Sequence, residues 1–241
     1  MIIGLSGYAG SGKDLTAKLI QYCCIKDKDI ALDEVTHDSQ SFILEMKSNW
    51  QIKKFSGPLK KIASILTGIS IDKFEDQEFK KTNLGPEWDI WRGIFPEDWG
   101  RSDSKWLSKY EPMTVRDFLQ KLGTDAIRDG LHPNAWVNAV MARYKPEVFG
   151  YDANGSPVMA DQNWIFTDCR FPNEAQAIKD RGGVIIRIDR SGVKPVNDHP
   201  SETALDNWDF DYKIFNASDI VSLNQSVSIV MEMIKRRRNE E

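Results

Sequence analysis

The clearest chemistry in this chain is a lysine that closes a glycine-rich run. Gly7-Tyr8-Ala9-Gly10-Ser11-Gly12-Lys13 fits G-x-x-x-x-G-K, a spacing in which glycines let backbone N–H groups converge on nucleotide phosphates while the lysine reaches the terminal ones. Gly7, Gly10, Ser11, Gly12 and Lys13 are therefore candidate nucleotide-binding residues, with Lys13 also a candidate catalytic residue that should face solvent when no nucleotide is bound. Asp14 stands where a magnesium-binding Ser or Thr is usual. A carboxylate there can hold magnesium, directly or through water, or can simply complement the dipole of the helix it opens. Thr16, further along, offers a hydroxyl to the same region at a non-standard spacing.

A second constellation is Thr167-Asp168-Cys169-Arg170. An acid at the carboxyl end of a strand beside a phosphate loop can organise magnesium or the attacking group, and an arginine on the same rim can neutralise charge on a transferring phosphoryl group. The alternative is local: Asp168 caps the helix that follows and Arg170 pairs with Glu174. Arg116 and Gln120, four apart in a helical pattern, form a third grouping on one face.

These residues need elements to position them. Ile2, Ile3 and Leu5 read as a short buried strand, and Lys13 to Cys24 as a helix whose N-terminus adds partial positive charge to the loop. Strands are expected at 50–55, 164–167, 184–188 and 212–215, and helices at 39–47, 59–66, 114–129, 134–144, 172–181 and 222–236, with a loop or hairpin at 151–163. Strands alternating with helices imply a parallel sheet with right-handed crossovers. The fold class is thus α/β, a three-layer α/β/α P-loop NTPase type, in a single domain over 1–241. Residues 72–110 hold Trp88, Trp91, Trp99 and Trp106 among charged and turn residues. This stretch is expected to lie outside the core, within an insertion at 70–112 that is either a flap closing over substrate or a structured surface excursion.

Composition narrows the partners. A net charge of −4 and a pI near 5.5 argue against a nucleic-acid polymer, because phosphate-backbone binding wants a basic face. Cys23, Cys24 and Cys169 show no metal-ligand spacing and are too few for a disulfide framework, which suggests a reducing cytoplasm. No stretch approaches a membrane span, and the first strand leaves no room for a signal peptide.

Five blocks in order, Ser6-Gly7 with Ser11-Gly12-Lys13-Asp14, Phe55-Ser56-Gly57-Pro58-Leu59-Lys60, Arg116 through Asp125, Asp168-Cys169-Arg170-Phe171-Pro172-Asn173-Glu174, and Asp198-His199-Pro200-Ser201-Glu202, resemble the deoxynucleoside monophosphate kinases of tailed bacteriophages. That family carries Asp after the loop lysine, as here. The resemblance implies transfer of the γ-phosphoryl of ATP to a deoxynucleoside 5′-monophosphate, with magnesium, in the host cytoplasm and with a homodimer as one open form. It puts Lys60, Arg116 and Gln120 on the acceptor side, Arg116 gripping the phosphate and Gln120 reading the base. Asp168 would organise magnesium or the acceptor phosphate, and Asp14 would be the other metal candidate. His199 and Glu202 match a family motif and are carried as substrate-side residues; as ordinary loop residues they would pair locally. The alternatives are another small-acceptor P-loop kinase, such as one resembling dephospho-coenzyme A kinase, and a regulatory nucleotide-binding ATPase with no second substrate.

Overall fold

The computed structural model describes residues 1–26, 29–93, 108–195, 199–217 and 219–240. In chain order they form β1 (Ile2–Ser6), α1 (Lys13–Cys24), α2 (Ser41–Ser48), β2 (Trp50–Lys53), α3 (Gly57–Thr67), β3 (Ile90–Gly93), β4 (Ser108–Glu111) and α4 (Val115–Gln120). A π-helix follows at Lys121–Asp129, then α5 (Ala135–Met141), β5 (Glu147–Tyr151), β6 (Pro157–Ala160), β7 (Asn163–Phe166), α6 (Pro172–Lys179), β8 (Val184–Arg190), α7 (Pro200–Thr203), β9 (Tyr212–Asn216) and α8 (Ile220–Glu240). The residues cluster into two compact units, Met1–Phe55 with Val137–Glu241, and Ser56–Trp136. Among the described residues no helix is long and apolar enough to cross a membrane.

The first unit is built on a five-stranded sheet in the order β2-β7-β1-β8-β9, and every pairing in it is parallel. Parallel strands joined by crossovers are covered on both faces, so their sequences run continuously apolar and successive residues serve opposite cores. Ile3, Leu5, Ile165, Ile186 and Ile188 face one core with residues of α1 and α8. Ile2, Trp164, Phe166 and Ile185 face the other, with Val137, Val140 and Met141 of α5 and Ala175, Ala177 and Ile178 of α6. This is the α/β/α layering and the mainly parallel sheet that the alternation of patterns implied. The hairpin β5–β6, antiparallel, occupies the stretch read as a loop or hairpin.

The second unit has its own small core of Ala63, Phe74, Val115 and Phe118, against which Phe79, Leu84, Trp88 and Leu122 pack. This corrects the expectation that the aromatic stretch stands outside any core. Phe74 is fully buried, and Trp88 meets Phe118 edge-on at 4.9 Å between ring centroids, so these two rings are spent on packing. Trp99 and Trp106 lie outside the described residues.

The helix read as continuous over 114–129 changes character at its middle, from α up to Gln120 to π from Lys121. Gly123 explains the position. The indole of Trp136 donates to the Gly123 carbonyl at 2.8 Å, and a Cβ on Gly123 would lie 2.9 Å from a methyl of Leu59, so the helix is pulled wide where a bare backbone packs against its neighbours. An apolar pattern only nine residues long does not distinguish the two helical periods.

The central strand carries a testable constraint. Gly4 faces α6, and a methyl group there would sit 2.7 Å from Cδ1 of both Ile178 and Ile185. Gly4→Ala should therefore cost about 1–3 kcal/mol by overpacking, read from urea unfolding. Adding Ile178→Val, which removes one of the two clashing carbons, should recover part of that loss; no recovery would mean the strain lies in the backbone.

Candidate functional site

The site in the first unit grows from the end of β1. Gly7 and Gly12 have φ of +146° and +98°, left-handed geometry that favours glycine, and a Cβ on Gly7 would fall 2.3 Å from the Ile188 carbonyl. The loop thus turns tightly against β8 before α1 begins. Among the described residues the N–H groups of Gly12, Lys13 and Asp14 have no backbone acceptor, as the open start of a helix leaves them. Ser11 is buried, and among the described residues its hydroxyl has no hydrogen-bond partner.

Lys13 departs from expectation. It is 8% exposed, and its Nζ donates to the carbonyls of Gly7 at 2.6 Å and Tyr8 at 2.7 Å. The loop curls around the ammonium because an unsatisfied buried charge is far costlier than a bent loop. Burial lowers the Lys13 pKa to about 8 and the charge of Arg170 adds to the effect, while Asp14, Glu202 and Asp168 pull it back up. These couplings bring Lys13, Asp14, Asp168, Arg170 and Glu202 into one electrostatic neighbourhood. Asp14 is largely exposed and lies 3.5 Å from Nζ of Lys54. Thr16 is fully buried, and its hydroxyl donates to the Gly12 carbonyl at 3.0 Å.

Asp168 follows β7, the neighbour of β1. Its Oδ1 accepts the Phe55 N–H at 2.8 Å, and Phe55 stacks on Phe166 at 4.2 Å, so the carboxylate is fixed at the strand's carboxyl end. Glu174 satisfies the start of α6 by accepting the backbone N–H groups of Arg170 at 2.8 Å and Phe171 at 3.1 Å. The guanidinium of Arg170 goes elsewhere than the local alternative held: Nη1 donates to Glu202 at 2.7 Å. Glu202 is almost wholly buried and Arg170 partly open, with side-chain exposures of 5% and 37%. His199 starts α7, its Nδ1 accepting the Ser201 N–H at 3.2 Å. Asp198 lies outside the described residues.

In the second unit a capping box starts α4: Oγ1 of Thr114 accepts the Asp117 N–H at 3.1 Å, and Oδ2 of Asp117 accepts the Thr114 N–H at 3.3 Å. This fixes the phase that sets Arg116 and Gln120 one turn apart, both half-buried. Arg116 donates to the neutral Oε1 of Gln77 at 3.3 Å, and among the described residues no carboxylate pairs with it. Lys60 differs. It is buried, and Nζ meets Glu75 at 2.5 Å, so its charge is already neutralised.

Sequence patterns missed three residues that shape the phosphate loop. Arg187, on β8, stacks on the Tyr8 ring at 4.6 Å and reaches Asp206 at 3.4 Å, and Asp206 accepts the Tyr8 hydroxyl at 3.0 Å. Asn216, the last residue of β9, donates to the Ser11 carbonyl at 2.9 Å. None belongs to a local motif, and only sheet order brings them to the loop.

The buried lysine gives a pH signature. Between about pH 8 and its ordinary 10.5, the unfolded chain still holds a proton that the folded chain has released, so stability rises with pH across that window and is flat below it. Relative to Lys13→Met, the ligand-free protein should gain about 3 kcal/mol from pH 8 to 10.5 in urea unfolding. A difference that does not change with pH would mean the lysine leaves its carbonyl cradle in solution.

The chain is also similar to known proteins. A family model described as deoxynucleotide monophosphate kinase matches residues 99–227, more than half of the chain. A putative deoxynucleotide monophosphate kinase of Acanthamoeba polyphaga mimivirus is 29% identical over 85% of this chain and 82% of its own length. The deoxynucleoside-5′-monophosphate kinase of Escherichia phage T5 is 24% identical over 91% of this chain and 90% of its own. The chain belongs to the deoxynucleotide monophosphate kinase family.

Proposed function

We propose that the protein transfers the γ-phosphoryl group of ATP to a deoxynucleoside 5′-monophosphate, giving the diphosphate and ADP, and supplies nucleotides for phage DNA synthesis in the host cytoplasm. The observation that carries the donor half is the loop itself. A buried ammonium is held by the carbonyls of Gly7 and Tyr8, beside amides of Gly12, Lys13 and Asp14 that lack a backbone acceptor among the described residues. Such a cradle is satisfied by a polyphosphate, which takes the amides and offers Lys13 anionic oxygens in place of carbonyls. Gly10 and the orphaned hydroxyl of Ser11 lie in the same loop, and the back-bonded Thr16 keeps the first turn of α1 in place.

Phosphoryl transfer asks little covalent chemistry of the protein; it asks that two anions be held in line and their charge be met. Magnesium takes one or two carboxylates, phosphate oxygens and water, a donor set that Asp14 and Asp168 fit. When bound it neutralises charge on the donor phosphates. Arg170, gripped at one nitrogen by Glu202, keeps further N–H donors for the moving phosphoryl group, and His199 starts the short helix that carries Glu202. Arg116 is suited to the acceptor phosphate because among the described residues its half-buried charge has no carboxylate partner, and Gln120 shares its face to read the base. Lys60, tied to Glu75, serves the acceptor side at one remove. The aromatic stretch at 70–112 is assigned the exclusion of water from the reaction. Nothing in this chemistry calls on a nucleic-acid polymer or a membrane, and a homodimer is compatible with it.

Two experiments test this reading. Lys13→Ala should lower kcat/KM by about a hundredfold or more with unchanged circular dichroism; near-native turnover in a folded variant would remove the loop assignment. Arg116 and Arg170 should fail differently. Arg116→Ala should mainly raise KM for the deoxynucleotide, since it holds the acceptor in ground and transition states alike. Arg170→Ala should lower kcat by about a thousandfold with little change in either KM, and Arg170→Lys should rescue poorly because a point charge lacks the planar fork. Steady-state kinetics with each substrate varied in turn decide it, and the reverse pattern would exchange the two roles.

A further inference from the structure

The carbonyls of the phosphate loop accept hydrogen bonds from partners of different origin. Gly7 and Tyr8 are held by Lys13, and Gly12 by the N–H and hydroxyl of Thr16 at 2.8 and 3.0 Å; both partners belong to the helix the loop itself starts. Gly10 and Ser11 are held from outside, Gly10 by Nη1 of the exposed Arg190 at 3.3 Å and Ser11 by a buried and shorter bond. The Ser11 carbonyl accepts Nδ2 of Asn216 at 2.9 Å across 205 residues of chain, and Asn216 is buried at the very end of β9.

The consequence follows from the geometry of an amide. In a trans peptide the C=O and the N–H of the next residue point in opposite directions, and the described chain has no cis bonds. Fixing the Ser11 carbonyl on Asn216 therefore aims the Gly12 N–H away from Asn216. That N–H has no backbone acceptor among the described residues. The fit between the two residues is tight, since a Cβ on Gly12 would lie 2.5 Å from Nδ2 of Asn216. Without this donor the Ser11–Gly12 peptide would be free to rotate, because glycine allows either orientation, and the amide would spend part of its time facing the wrong way.

We infer that Asn216 is a positioning residue for the phosphoryl donor: it sets the Ser11–Gly12 peptide so that the Gly12 amide is presented to a donor phosphate before the nucleotide arrives. The inference rests on the phosphate-loop reading given above and adds to it a residue from the far edge of the sheet. Asn216 touches no substrate. Its effect is confined to donor affinity and leaves the acceptor untouched.

The test is calorimetric titration of the full chain with ATP, with inorganic tripolyphosphate and with the deoxynucleoside monophosphate it phosphorylates. Asn216→Ala and Asn216→Asp should each weaken ATP and tripolyphosphate binding by about tenfold or more at pH 8, with monophosphate binding within about twofold of the parent. Asn216→Asp adds a signature that a filler at a strand end would not show. As its carboxyl is protonated on acidification it regains a donor for the Ser11 carbonyl, so its ATP affinity relative to the parent should recover as pH falls, whereas that of Asn216→Ala should not. Equal weakening of all three ligands together with a lower Tm, or unchanged ATP affinity in either folded variant, overturns the inference. Lys13→Ala in the same titration separates the two levels: if it too binds ATP like the parent, the loop assignment itself is lost, and if it alone is weakened, only the role of Asn216 is. Should the Asn216 variants fail to fold, the unmodified chain labelled with 15N-glycine still decides, since the Gly12 amide resonance must shift when tripolyphosphate is added and a stationary one overturns the proposal.

Discussion

A positive charge that must be buried, and therefore answered, governs the donor half of this protein. Lys13 begins α1 at the end of the phosphate loop and is only 8% exposed. An uncompensated charge in that position would cost several kcal/mol, so the loop bends until the Gly7 and Tyr8 carbonyls face Nζ. Left-handed backbone at Gly7 and Gly12 makes the bend possible. Arg170 pushes the lysine toward its neutral form while Asp14, Glu202 and Asp168 oppose this. The result is a poised pocket of mixed charge in which an arriving polyanion competes only with neutral carbonyls for the lysine.

Sheet order supplies the rest. Because β1 sits between β7 and β8, with β9 next along, residues leaving four strands meet around one loop. Asp168 follows β7, Arg187 belongs to β8, and Asn216 ends β9. Ligands of open α/β sheets bind beyond the carboxyl ends of the strands for this reason. Glu202 and Asp206 extend the network by holding Arg170 and Arg187, which makes the segment around α7 a brace for two arginines.

The second unit uses charge differently. Lys60 and Arg116 are both partly or wholly withdrawn from water, yet Lys60 is matched by Glu75 and Arg116 faces a neutral amide. Among the described residues no carboxylate answers Arg116 on its well-capped helix, which is why it is the one proposed for the acceptor phosphate. The packing of Phe74, Val115 and Phe118 keeps that helix rigid enough to hold it.

The glycine spacing before Lys13, the run of apolar strands and the acid that follows β7 were legible in the sequence because each depends on neighbours a few residues away. The same holds for the pairing of Arg116 with Gln120, which Thr114 and Asp117 secure locally. What sequence could not decide is where charges end up. Lys13 reads as a solvent-facing lysine and is buried; Arg170, with Glu174 as its local alternative, pairs instead with Glu202; the 72–110 stretch reads as lying outside the core and contributes Phe74 to one. These outcomes depend on which groups folding brings within about 3–4 Å, the range over which a hydrogen bond, an ion pair or a packing contact is made. Asn216 is the clearest case: nothing around it in sequence marks it, and only the parallel placement of β9 two strands from β1 puts its amide on the Ser11 carbonyl.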